Sequence, residues 1–282
     1  MAGSEWSLMF IGSLELSERM YRGRYFVLGL TSSCTRFSLR PIIIIPTRLG
    51  STRLPGKALA DIHGEPLIVH VWRRGLEADI GPIVVCGDQA IADVVRAAGG
   101  EAVLTDPHLP SGSDRVQAAL SMIDREQRYD VVVALQGDLP TASPSILRAA
   151  LEPLQDSQVH IFNFGDYHQD IIRSRAELEA QQVVKIALSY PDGAKRGRAI
   201  YFSRNDPRWE GAHYHHIGLY TYRRSALEHY VRLSRGTLEV RESLEQLRAL
   251  EHGIHIEVIV VDSEPLGVDT QLDLERARQL LS

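Results

Sequence analysis

The sequence predicts an α/β protein, built on a mostly parallel, mixed sheet with helices on both faces and a small inserted lobe. Three observations carry this. From Pro41 onward, short β-branched runs alternate with apolar stripes of helical period. These elements have the length and order that give a covered parallel sheet. Two polar, glycine-bearing clusters directly follow strands, at the edge where ligands bind such sheets.

Ile42-Ile43-Ile44-Ile45 is β-branched throughout and reads as a strand buried on both faces. Pro66 to Glu77 places Leu67, Ile68, Val71 and Trp72 on one helical face, with Pro66 suited to a first helical position. Ile83 to Cys86 is a second strand, and Asp88 can cap the helix carrying Ile91, Val94 and Val95. Glu101 to Leu104 is a short strand, Val116 to Ile123 a helix, and Val131 to Leu135 another strand. Ser143-Pro144 opens the next helix. In the second half, Val183 to Ser189, Arg198 to Phe202, Ile217 to Tyr222 and Ile256 to Val261 read as strands. Glu239 to Glu251 reads as one amphipathic helix with Leu244, Leu247 and Leu250 inward, and Gln271 to Leu281 closes the chain.

The organisation is read as an extension or tag over residues 1–40 and one domain over 41–282, with the inserted lobe near 183–236. The extension lacks the long apolar core of a secretory signal, and no run reaches the ~18 apolar residues of a membrane span. A formal charge of -5 argues against a general nucleic-acid coat but leaves room for a local anion site. Two cysteines set no disulfide framework, so reduced thiols in a cytoplasmic protein are expected.

The segment Pro46 to Lys57 carries the strongest chemical signal. Gly50 and Gly56 permit tight turns and close approach of N–H groups to an anion. Ser51 and Thr52 add hydroxyls, and Arg48, Arg53 and Lys57 add three cations. This chemistry suits a triphosphate, although the loop does not have the Walker spacing. A merely solvated basic loop would need neither two glycines nor Pro46 and Pro55. Asp138 and Asp269 both follow strands. Alone, each fits a turn or a helix cap as well as a ligand.

The loop resembles the CTP-binding signature of 3-deoxy-manno-octulosonate (Kdo) cytidylyltransferases, Ala-Arg-x-x-Ser-x-Arg-Leu-Pro-Gly-Lys. The resemblance continues, in order, through Ser111 to Arg115, Gln136-Gly137-Asp138, Tyr201 to Arg204, His216 to Tyr220, Leu244 to Arg248 and Gly267 to Thr270. It implies a Rossmann-like sheet of the nucleotide-diphospho-sugar transferase type. It also implies transfer of a cytidylyl group from CTP to an acidic eight-carbon sugar, in lipopolysaccharide biosynthesis, by a homodimer using Mg²⁺.

Carried onto this chain, the resemblance makes Lys57, Asp138 and Asp269 catalytic, with both aspartates as metal ligands. It assigns Arg48, Gly50, Ser51, Arg53, Lys57, Ser113 and Arg115 to the nucleotide. It assigns Gln136, Arg204, His216, Tyr220, Glu245 and Gln246 to the sugar. Read from the residues alone, Glu245 and Gln246 fit a solvated helix face, His216 a core histidine, and Ser113 and Arg115 an ordinary helix start. The chain departs from the pattern at Leu139, Ala58, Ala180-Gln181-Gln182 and the stretch His160 to Glu179. Three alternatives remain: an 8-amino relative of Kdo or a sialic acid as substrate, a glycosyltransferase, and a non-catalytic nucleotide-binding module.

Overall fold

Four consecutive isoleucines can all be buried only if both faces of their strand are covered, and this is what β1 (Pro41–Pro46) achieves. Ile43 and Ile45 join one apolar cluster, and Ile42 and Ile44 the other. The computed structural model describes residues 39–51, 53–166, 179–191, 194–205, 214–261 and 265–282. All lie in the unit Phe37–Ser282. Residues 1–38, nearly all of the expected extension, and 167–178, most of the atypical stretch, lie outside the described residues.

After β1 come the small ribbon β2 (Asp61–Ile62) and β3 (Glu65–Pro66), α1 (Leu67–Ala78), β4 (Ile83–Gly87), α2 (Gln89–Ala97) and β5 (Glu101–Leu104). Then follow α3 (Gly112–Ile123), β6 (Val131–Ala134), α4 (Pro144–Ala149) and β7 (Ile161–Asp166). The second half supplies β8 (Lys185–Ser189), β9 (Arg196–Ser203), β10 (Tyr214–Arg223) and α5 (Arg224–Tyr230). It ends with α6 (Thr237–Glu242), α7 (Leu247–Glu251), β11 (Ile256–Val261) and α8 (Gln271–Leu280).

Nine strands form one mixed sheet in the order β5-β4-β1-β6-β10-β7-β11-β9-β8. Pairing is parallel from β5 to β6 and between β7 and β11. It is antiparallel where β10 meets β6, β7 and β8, and where β9 meets β8 and β11. The segment 183–236, expected as an inserted lobe, thus contributes three strands to this sheet, and β10 lies in its middle. Helices α1, α2, α4 and α8 cover one face, while α3, α5 and α7 cover the other.

Four local expectations are corrected. Pro66 flanks α1 in extended backbone rather than occupying its first turn. Asp88 does not cap α2, because its Oδ2 accepts the Leu49 N–H at 2.7 Å and anchors the loop after β1 instead. The single helix over Glu239 to Glu251 is split by Ser243, whose φ of 54° is left-handed. The chain then folds back on itself. Glu251 accepts the Leu238 and Glu239 N–H groups at the start of α6, and Arg248 makes a two-bond pair with Glu239 at 2.7 and 2.8 Å. Finally, β7 was not foreseen. Its polar Asn163 is fully buried because Nδ2 donates to the Ile217 and Leu219 carbonyls, bridging a register shift in β10.

The loop after β1 is squeezed between two glycines. A Cβ on Gly137 would lie 2.8 Å from Thr47 Cβ and 3.0 Å from the Pro46 carbonyl oxygen, and one on Gly87 would lie 2.9 Å from the Thr47 carbonyl oxygen. Gly137→Ala should therefore destabilise the fold by about 1–3 kcal/mol, the usual cost of overpacking. Urea denaturation measures this, and an unchanged midpoint would show that the loop has room to move.

Candidate active site

The site is assembled from three connections at one edge of the sheet. Lys57 follows the loop after β1, Asp138 the end of β6, and Asp269 the turn into α8. Lys57 Nζ donates to Asp138 Oδ2 at 2.7 Å, to Asp269 Oδ1 at 2.8 Å and to the Val268 carbonyl at 2.9 Å. Arg53 reaches the second oxygen of Asp269, with Nη2 to Oδ2 at 2.7 Å. The turn that presents Lys57 needs Gly56, whose φ is 69°. Asp269 is fixed from below, because Thr270 and Asp273 form a capping box at the start of α8.

Burial acts against the charge on Lys57, but the Asp138 carboxylate and then Asp269 outweigh it and hold the ammonium above its ordinary pKa. For Asp269, burial favours the neutral acid. The hydrogen bond and charge of Lys57, followed by Arg53 and Arg204, win and hold the carboxyl below its ordinary value. The pairing thus favours the charged forms of both Lys57 and Asp269.

Beyond it opens a cleft of about 970 Å³. Of the sequence-predicted residues, Arg53, Asp138, Asp269, Gln136, Arg204, His216, Tyr220, Glu245 and Gln246 all line it. Arg204, at the end of β9, donates from Nη1 to the Gln181 carbonyl at 3.1 Å. Burial and then the neighbouring Arg53 guanidinium hold Arg204 below its ordinary pKa, outweighing the opposing pull of the Asp269 and Glu242 carboxylates. The Ala180-Gln181-Gln182 departure keeps this contact, since the acceptor is main chain. Glu245 and Gln246 sit in the turn between α6 and α7 rather than on a solvated helix face. Gln246 Nε2 is buried without a hydrogen-bond partner in the structure, a donor in want of an acceptor.

Arg48 and Gly50 are exposed and Ser51 is half-buried, all on the loop between β1 and Lys57. A Cβ added at Gly50 would meet nothing within 4 Å, so its backbone is open to an approaching group. The other two nucleotide candidates are placed differently. Ser113 is buried, donating to Glu245 Oε1 at 2.9 Å, with the Tyr222 hydroxyl at 3.2 Å. Arg115 is buried with Nη1 on Thr105 Oγ1 at 2.6 Å. Neither lines the cleft, because both sit in the first turn of α3 with their side chains turned inward.

Two further residues shape the site without having been singled out in the sequence. Glu242 accepts from Tyr201, Ser203 and the Arg204 N–H. Lys185, fully buried, donates to the Ala180 and Arg204 carbonyls. Glu242 was hidden in a charged run and Lys185 in an apolar strand, so neither stood out by composition.

The sequence matches the cytidylyltransferase family over residues 42–256. The 3-deoxy-manno-octulosonate cytidylyltransferase of Paramagnetospirillum magneticum is 53% identical over 245 residues, 86% of this chain and 98% of the relative. The enzyme of that name from Methylobacterium nodulans is 55% identical, covering 86% and 97%. The chain belongs to the 3-deoxy-manno-octulosonate cytidylyltransferase family. It is accordingly a nucleotidyltransferase. The solved structure of a CMP:2-keto-3-deoxy-manno-octonic acid synthetase complexed with CTP matches with a TM-score of 0.75 at 34% identity, over 86% of this chain and 98% of that one. These likenesses displace the glycosyltransferase and non-catalytic alternatives.

His216 gives a test of the cleft's electrostatics. Burial first, then His215 and Arg204, push its pKa down to about 3, and its Nε2 lies 2.8 Å from the Tyr220 hydroxyl. Burial likewise keeps Tyr220 protonated. Between about pH 6.5 and 3 the unfolded chain binds a proton at His216 that the folded chain refuses. Stability from this group is therefore full above pH 6.5 and declines as pH falls through that window. Ring ¹⁵N shifts of His216 should stay those of a neutral imidazole down to pH 5, and His216→Gln should flatten the acid side of the stability profile. A midpoint near 6.5 would contradict the half-buried, cation-flanked environment.

Proposed function

We propose that the chain transfers the cytidylyl group of CTP to the anomeric hydroxyl of 3-deoxy-manno-octulosonate, releasing CMP-Kdo and pyrophosphate. One observation carries this reading: a lysine bound at once by two remote carboxylates, at the mouth of a cleft holding a second set of cationic and neutral polar side chains. The family and its CTP-complexed relative supply the substrates.

The loop Arg48 to Lys57 is the triphosphate cradle. The exposed Gly50 backbone and the Ser51 hydroxyl face the phosphates, and Arg48 and Arg53 balance their charge. Lys57 is a fixed positive charge rather than a base, since its partners resist loss of its proton. It stabilises the crowded, anionic phosphorus centre and keeps Asp138 and Asp269 aimed at one point.

Those carboxylates fit Mg²⁺. They are hard oxygen donors already converging on one cation, and Mg²⁺ takes one or two carboxylates plus phosphate and water. When bound there, the ion supplies charge neutralisation at the α-phosphate and acidifies the attacking hydroxyl.

On the sugar side, Arg204 takes the carboxylate. Gln136, Glu245, Gln246 and the neutral His216–Tyr220 pair take hydroxyls, Gln246 Nε2 gaining the acceptor it lacks. Little covalent work falls to the protein. Holding nucleophile and phosphorus in line is worth up to roughly 7–11 kcal/mol of the barrier. Ser113 orients Glu245 rather than touching the nucleotide. No helix among the described residues is long and apolar enough to cross a membrane. We place the reaction in the cytoplasm on the separate ground of the reduced thiols expected from the sequence. We infer a homodimer as well, as the resemblance implies.

Pyrophosphate release from CTP should require both Kdo and Mg²⁺. Asp138→Asn and Asp269→Asn should each lower kcat by roughly 10²- to 10³-fold, as for loss of one preorganised charged group, while CTP affinity changes far less. Calorimetric CTP binding together with a coupled pyrophosphate assay reads both quantities. Full turnover in either variant would remove that aspartate from the site. Pyrophosphate release without Kdo would overturn the acceptor assignment.

A further inference from the structure

Arg204 lies at the last residue before a turn, where a side chain ordinarily has freedom to swing. Its main chain is nevertheless held from both sides by charged groups withdrawn from water. The Glu242 carboxylate accepts the Arg204 N–H at 3.3 Å, and its two oxygens also accept the Ser203 and Tyr201 hydroxyls at 3.2 Å. From the opposite side, Lys185 Nζ donates to the Arg204 carbonyl at 2.8 Å and to the Ala180 carbonyl at 2.9 Å. Lys185 is fully buried and Glu242 nearly so. Burying charges of opposite sign against the two peptide groups that flank one residue is costly unless each is well bonded. An ordinary strand end needs no such arrangement.

We propose that Glu242 and Lys185 are positioning residues that aim the Arg204 guanidinium into the cleft by gripping its main-chain N–H and C=O. The grip also fixes the opposite wall. Lys185 ties the Ala180 carbonyl to the end of β9, and the Arg204 guanidinium itself donates to the adjacent Gln181 carbonyl. Lysine, arginine and the 180–182 turn therefore form a closed loop of main-chain contacts, indifferent to the side chains at Ala180, Gln181 and Gln182. Neither Glu242 nor Lys185 touches substrate in this scheme. Their effect on the reaction passes through the direction of one cation, and it rests on the reading of Arg204 as the group that binds the acceptor's carboxylate.

The test is steady-state kinetics on the full chain with Kdo, CTP and Mg²⁺, varying each substrate separately. Glu242→Gln keeps the size and one acceptor of the residue but removes the charge. It should raise the KM for Kdo about tenfold, the worth of a hydrogen bond to a charged group, and leave the KM for CTP within about twofold. Lys185→Met should act in the same direction. Ser203→Ala, a milder change that only loosens Glu242, should raise the Kdo KM about two- to threefold and keeps the proposal testable if the charge-removing variants do not fold. Combined with Arg204→Met, Glu242→Gln should add almost nothing, since the two act through one contact. An unchanged Kdo KM in Glu242→Gln, or equal rises for both substrates with a lowered Tm, overturns the positioning role. If Arg204→Met alone leaves the Kdo KM unchanged, the carboxylate reading of Arg204 fails and the proposal falls with it.

Discussion

The ammonium of Lys57 sits where three connections of the sheet meet, and it is the one group among the described residues that bonds both acids there. Asp138 and Asp269 come from the end of β6 and the start of α8, and both point at the same nitrogen. Without it, two partly buried carboxylates would face each other across a few ångströms, and one would be driven to take up a proton. Through one residue the loop after β1 thus offers positive charge for the phosphates of the proposed reaction and holds two acids convergent. The close packing of Thr47 against Gly87 and Gly137 and the anchoring of Leu49 by Asp88 hold that loop in register with the acids it serves.

The cleft is built on a contrast between fixed charges and deliberately neutral groups. The guanidinium groups of Arg53 and Arg204 line it together with His216 and Tyr220, which are kept uncharged by burial. A stack of rings runs back from this pair through Tyr222 to Tyr230, whose hydroxyl donates to the Glu245 carbonyl and whose face lies under Arg248. The proposed sugar-binding turn is thus backed by stiff aromatic packing and by the buried Glu239–Arg248 pair. Rigid backing of this kind suits recognition by direction and charge better than recognition by adaptable loops.

Much of this could be read from the residues. The Ile42 to Ile45 run, with no polar residue in four, signalled a strand covered on both faces, and the cation-rich loop after it signalled an anion site. What stayed hidden depended on tertiary partners. Nothing local marks Ser243 as left-handed, and the leucine period across it is helical, so the break between α6 and α7 was invisible. Asp88 has the sequence look of a cap, but a distant N–H competes for its carboxylate. Ser113 and Arg115 sit in a motif tied to the nucleotide, yet their inward rotation follows from partners, Glu245 and Thr105, far along the chain or outside the motif. The strand β7 was missed, and its buried Asn163 is held by bonds to two carbonyls of another strand, partners that no local pattern reveals.

The position of β10 has a consequence for how the molecule comes into being. It lies between β6 and β7, yet it is made after both, and it is the strand that joins the two halves of the sheet. A nascent chain that has emerged only as far as β7 carries the four-stranded fragment β5-β4-β1-β6, whose β6 edge is unpaired, and a lone β7 whose two neighbours have yet to be made. Exposed edges of this kind template pairing with other chains, and the contacts that close them span long stretches of sequence, which slows folding. Synthesis of this protein therefore passes through a window, lasting at least until residues 214–223 have been made, in which the edge of β6 is open to pairing with other chains.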